Sequence, residues 1–174
     1  MEKPSASVHA SCVLVGARAL LIRGPSASGK SRLALELIHA ADTGGLRFAR
    51  LVADDRVHLT AAGGRLLARP AVSLAGLIEL RGTGLLRLPY EPCAVIGLVV
   101  DLSAGDSSRL PAPEQRQVLL DGISLPRLAV ASGVTPLPAV MALLNSPERW
   151  LALTAFNAGW RLVNHTAYKL PGEA

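Results

Sequence analysis

The 174-residue chain has few aromatic side chains, 3% of the total, and few lysines, three against fifteen arginines. So few rings exclude the stacking platforms that single-stranded nucleic acid needs. The arginines are scattered singly between apolar runs and form no stripe, so no nucleic-acid surface is expected. The two cysteines, Cys12 and Cys93, lie far apart in neither a C-x-x-C nor a zinc spacing, which excludes a thiolate metal cluster and a redox pair. No apolar run is long enough to span a bilayer, and the opening residues Met1, Glu2, Lys3 and Pro4 lack the apolar stretch of a secretory leader. Both absences predict no membrane association and a cytoplasmic location. What remains is a chain that is half apolar, with a net charge of +5. That suffices for one well-filled core, a single domain over 1–174, and its basic balance suits anionic ligands.

Gly24, Pro25, Ser26, Ala27, Ser28, Gly29, Lys30 and Ser31 fit the phosphate-loop pattern G-x-x-x-x-G-K-[ST] at every fixed position. An apolar stretch of strand length, 19–22, precedes the motif, and Leu33, Leu35, Leu37 and Ile38 recur behind it in a helical segment reaching about Ala41. In that context backbone N–H groups and the positive end of the helix cradle phosphates. Lys30 reaches the β- and γ-phosphates, and the Ser31 hydroxyl ligates Mg²⁺. Lys3 and Lys169 lie near the chain ends, so Lys30 is the one interior lysine in an arginine-biased sequence. It stands where a compact ammonium on a flexible stem is wanted. ATP with Mg²⁺ is the expected ligand pair.

Gly, Pro, Asp and Ser punctuation divides the rest into short runs: 11–15, 19–23, 51–53, 57–60, 64–68 behind a Gly63-Gly64 turn, and 94–100. A segment at 115–120 reads as strand or helix, and 138–145 and 147–163 as C-terminal helices. Strands outnumber helices early on. The fold class expected is α/β, a single P-loop domain with a mixed, strand-rich sheet around one helix. The strand at 51–53 ends on Asp54 and Asp55. Neighbouring strand residues face opposite ways, so only one carboxylate points at the phosphate site unless the backbone bends. Asp55 is the candidate base and Asp54 takes a supporting role, against a solvated turn as the plain alternative. Asp101, ending the 94–100 strand, reads either as a metal-binding acid or as a strand cap. Glu79 and Arg81 share a face, which on spacing alone also describes a surface ion pair.

Three separated stretches together resemble the HPr kinase/phosphorylase family: His9 in HASCVLV at 9–15, LVADDRV at 51–57, and IELRGTGL at 78–85. The resemblance runs over about 8–142, corresponding to the catalytic domain of longer members, with 143–174 as a helical extension. It implies a phosphoenolpyruvate-carboxykinase-like P-loop fold, a homo-hexamer, and ATP-dependent phosphorylation of a serine on an HPr-type phosphocarrier. By position, it makes Lys30 the phosphate-binding lysine, Ser31 and Glu79 metal-site residues and Asp55 the general base. His9, Arg81 and Arg109 become further catalytic-site residues. Ala27 departs from the family's usual glycine, and Arg32 from its usual glutamate. Between Arg127 and Arg149 there is no Lys or Arg, although the family carries there an arginine-bearing loop tied to phosphorolysis. The kinase direction is therefore better supported than the reverse. A small-molecule P-loop kinase, with 103–116 as an arginine-bearing lid, and a catalytically reduced ATP-dependent switch are the competing readings.

Overall fold

The computed structural model describes residues 7–146. The strands are β1 (Ser7–Val8), β2 (Ala10–Val15), β3 (Arg18–Arg23), β4 (Ala49–Ala53), β5 (Val57–Ala62), β6 (Arg65–Pro70), β7 (Leu77–Leu80), β8 (Gly84–Arg87), β9 (Ala94–Leu102), β10 (Gln117–Leu120) and β11 (Ile123–Val130). The helices are α1 (Lys30–Asp42), between β3 and β4, and α2 (Leu137–Leu144). The segment 147–163, read from sequence as a helix, and most of the extension 143–174 lie outside the described residues.

β9 is the axis of the sheet, and its apolar run is that of a strand covered on both faces. β3 lies parallel along one side, followed by β2 and β4 antiparallel. The other side of β9 is shared: β6 pairs antiparallel with its first residues, and β11 runs parallel to its last. Strands diverging from one side in this way curl the sheet. β7 and β8 form a separate antiparallel hairpin. The sheet is mixed, as the sequence predicts.

Strand alternation sorts the core into two layers. Cys12, Leu21, Val52 and Val99 pack on one face with the β5–β6 hairpin, whereas Val13, Leu20, Leu51 and Val100 pack on the other with Leu33 and Leu37 of α1 and Val140 of α2. α1 forms because 30–42 contains no Gly or Pro and carries Leu33, Ala34 and Leu37 on its buried stripe. It stops where Thr43 and the positive-φ Gly44 turn the chain and cap its last carbonyls. The expected Gly63-Gly64 turn closes the β5–β6 hairpin with both glycines at positive φ, 55° and 71°, as a tight two-residue hairpin requires. The ambiguous 115–120 segment contains both alternatives, a 3₁₀ turn over Pro113–Arg116 and then β10.

Candidate functional site

The loop between β3 and α1 is built for close approach. At Gly24, φ is 151° and a Cβ would fall 2.7 Å from Ser28 Oγ and 2.9 Å from the Leu102 carbonyl oxygen, so no larger residue fits. Ala27 holds φ 64° and Gly29 φ 94°. These turn the chain so that α1 begins at Lys30, with its first hydrogen bond from the Leu33 N–H to the Gly29 carbonyl 2.9 Å away. The N–H groups ahead of Leu33 have no acceptor within the helix, and the first turn holds no acid to neutralise them. Lys30, 7% exposed, folds under the loop and donates to the carbonyls of Gly24 (3.1 Å) and Pro25 (2.9 Å). Burial lowers its pKa, and the nearby Asp54 and Asp55 carboxylates oppose that shift.

β4 delivers the acids. Along β2 the pairing skips a residue, Cys12 opposite Ala53 but Val13 opposite Leu51, so Val52 is a bulge. Val52 and Ala53 consequently pack in the same layer, and the alternation changes phase. Asp54 therefore falls on the α1 face, where strict alternation would have turned it away. There it is 4% exposed and held by three donor groups. Its Oδ1 accepts from Ser11 Oγ (2.5 Å) and Ser31 Oγ (3.0 Å), and its Oδ2 from Ser31 Oγ (3.0 Å) and the Glu79 N–H (3.2 Å). The next residue bends the chain. Asp55 has φ 64°, and the Arg56 N–H donates to the Asp54 carbonyl at 2.8 Å, the mark of a γ-turn of the uncommon positive-φ kind. Both adjacent carboxylates thus reach one cavity, by a bulge and a turn.

That cavity has a volume of about 750 Å³. The loop residues 26–31 form its floor, Asp54, Asp55, Glu79, Arg81 and His9 line it, and Gly133, Val134, Thr135 and Pro136 face them. His9 Nε2 is 3.5 Å from Asp55 Oδ1, and both side chains are about half exposed. Of the residues expected from sequence, Ser26, Ala27, Ser28, Gly29, Lys30, Ser31, Asp55, Glu79, Arg81 and His9 converge here. Gly24 and Pro25 lie beneath as the lysine's acceptors. No ion pair joins Glu79 to Arg81, so that surface reading does not apply. Arg109 is not among the lining residues and lies exposed in the stretch 103–112.

Asp101 is elsewhere. Arg23 grips it with two bonds, 2.7 and 2.8 Å, and Arg127 with one of 2.6 Å, while Arg127 also binds Asp106 at 2.6 and 2.9 Å. Burial alone would raise the Asp101 pKa, but the two guanidiniums overcome it and leave the group below the ordinary carboxylate range. Arg23 and Arg127 together balance the charges of Asp101 and Asp106, leaving none to attract a cation, so Asp101 ties β3, β9 and β11 together at the loop's base. Residue composition gave Ser11 no role, and the 133–136 wall falls in the segment where the family likeness places a site loop. A lone serine in an apolar strand resembles any other, and the wall is brought in by tertiary packing.

The residues fit Mg-ATP. A helix start, a buried lysine and a hydroxyl face the same space as carboxylates, and Mg²⁺ takes one or two carboxylates and keeps waters. No cluster of three or more His, Cys, Asp or Glu suited to a tighter-held metal occurs among the described residues. No helix among them is long and apolar enough to cross a membrane.

Residues 3–90 match the family model described as HPr Serine kinase C-terminal domain. An HPr kinase/phosphorylase of Geobacillus thermodenitrificans is 35% identical over 139 residues, 73% of this chain and 42% of the relative. One from Streptococcus thermophilus is 43% identical over 135 residues, 71% and 41% of the respective lengths. The chain thus spans 42% and 41% of the lengths of these two curated relatives. Among solved structures, the Hpr(Ser) kinase/phosphatase from Coxiella burnetii superimposes with a TM-score of 0.66 at 24% identity, covering 83% of this chain and 96% of that one. It has the same mixed α/β fold.

Proposed function

The chain belongs to the HPr serine kinase C-terminal domain family, and from that premise we propose that it is an ATP-dependent kinase acting on a serine of an HPr-type phosphocarrier. The observation that carries this reading is the meeting of Lys30, Ser31, Asp54 and Asp55 in one cavity. In it, the loop 24–31 is a phosphate-binding loop of the phosphoenolpyruvate-carboxykinase-like kind, and 1–174 act as one catalytic domain. The N–H groups at the start of α1 and the Lys30 ammonium hold the β- and γ-phosphates. Ser31, with Asp54 behind it and Glu79 beside it, holds Mg²⁺. The bound Mg-nucleotide supplies the γ-phosphoryl group and the neutralisation of its charge. Asp55, exposed at the cavity mouth, accepts the proton of the acceptor serine as its oxygen forms the new O–P bond and ADP leaves. His9 holds Asp55 in place, and Arg81 adds positive charge at the rim. A role for Arg109 requires the 103–112 stretch to swing toward the cavity.

Gly133, Val134, Thr135 and Pro136 give the facing wall no cation, so the kinase direction dominates and phosphorolysis of the phosphoserine is weak. The test is to mix the chain with Mg-ATP and the phosphocarrier encoded in the same genome and locate added mass on the carrier's peptides. A serine-linked phosphate is expected. ATP bound without any transfer would overturn the kinase in favour of a nucleotide-responsive switch.

A further inference from the structure

Among the described residues the buried polar side chains are Ser11, Lys30 and Asp54. Lys30 and Asp54 already have parts in the proposed reading; Ser11 has none. It lies within β2, fully buried, opposite Ile22 of β3 and on the same face of the strand as Val13, the face that α1 covers. A hydroxyl taken out of water there is costly unless bonded, and its partner is Asp54 Oδ1. An ionised carboxylate only accepts, so the hydroxyls of both Ser11 and Ser31 are donors toward Asp54. Ser31 has then committed its single hydrogen, and its oxygen lone pairs are left for the cavity side. The Glu79 N–H holds Asp54 from the hairpin.

We propose that Ser11 is a positioning residue: its hydroxyl fixes the orientation of the Asp54 carboxylate, and through it the Ser31 oxygen, so that the site is set for a divalent cation before the cation arrives. The inference rests on the reading of the cavity as a Mg-nucleotide site and adds to it a residue that touches neither nucleotide nor metal.

Binding of a fluorescent ATP analogue, measured with Mg²⁺ and with EDTA, separates this from a packing role. In EDTA, wild type, Ser11→Ala, Ser11→Thr and Ser11→Cys are expected to bind within about twofold of one another. The affinity gained on adding Mg²⁺ is expected to shrink about tenfold in Ser11→Ala, the usual weight of one hydrogen bond to a charged group, and to return in Ser11→Thr, which keeps the hydroxyl. An unchanged Mg²⁺ gain in Ser11→Ala overturns the assignment, and so does an equal loss with and without the ion, the mark of simple destabilisation. Should Ser11→Ala not fold, the near-isosteric Ser11→Cys, a weak donor, replaces it against Ser11→Thr. An equal Mg²⁺ gain in those two also overturns it. Wild type binding without any Mg²⁺ dependence would refute the underlying Mg-nucleotide reading, and Ser11's part with it. A normal wild type with a normal Ser11→Ala refutes Ser11's part alone.

Discussion

Asp54 and Asp55 are chemically identical neighbours whose situations are opposite. Asp54 is buried and accepts from the Ser11 and Ser31 hydroxyls and the Glu79 N–H, so its place is to orient those groups and not to meet a substrate. Asp55 is exposed at the cavity mouth and can receive a proton. Asp55→Asn is therefore expected to lower phosphate transfer about 10²–10⁴-fold while a nucleotide-binding titration stays near wild type. Lys30→Ala should weaken both, because its ammonium is the buried cation of the phosphate site; equal transfer by the Asp55 variant would sink the base assignment. Asp101 serves stability instead. Its folded pKa lies below its unfolded one, so its contribution is complete above the unfolded value, about 3.9, and disappears as pH falls through the folded value. Asp101→Asn, which leaves Arg23 without its carboxylate and Arg127 with Asp106 alone, should cost about 3 kcal/mol at pH 7. In thermal melts the gap between wild type and variant should narrow only below about pH 4.

The loop and the strand that bring these side chains together both depart from regular geometry. Ala27 sits at φ 64°, where an L-residue is strained by about 1–2 kcal/mol and glycine is not. Ala27→Gly should therefore raise stability by about 0.5–1 kcal/mol after the larger entropy loss of glycine on folding. The check is a denaturant midpoint measured with and without nucleotide. Gly24→Ala should do the reverse and abolish nucleotide binding, because its methyl collides with Ser28 and the Leu102 carbonyl. Most elements were legible in the chain: the loop's strand–turn–helix setting, the two-glycine hairpin and the buried β9 all follow local periodicity and turn chemistry. β11 was not, because Pro126 argues against a central strand. The structure accommodates it at the last residue paired with β10, opposite Gln117, one residue before β9 joins at Arg127. The β4 bulge was illegible for a deeper reason. Leu51, Val52 and Ala53 are all apolar, so alternation leaves no trace in their side chains.

The family likeness implies a homo-hexamer, and Val72, Leu110 and Leu119 are large apolar side chains left exposed. Light scattering on the purified chain is expected to give a mass about six times that of the 18.1 kDa protomer; a monomer at micromolar concentration would refute that expectation. The family likeness, and not spacing, singled out the Glu79 and Arg81 segment and chose between the paired acids, whereas the eight loop residues could be named from the chain because their types answer a local chemical need. They point to phosphoryl chemistry without any folding at all. Tertiary structure alone settled which acid is buried, that Ser11 bonds to it and that Asp101 is bound by two arginines. Those depend on the phase of a bulged strand and on contacts between residues 43 and 78 positions apart, such as Ser11 with Asp54 and Arg23 with Asp101. Local periodicity carries no information over such separations.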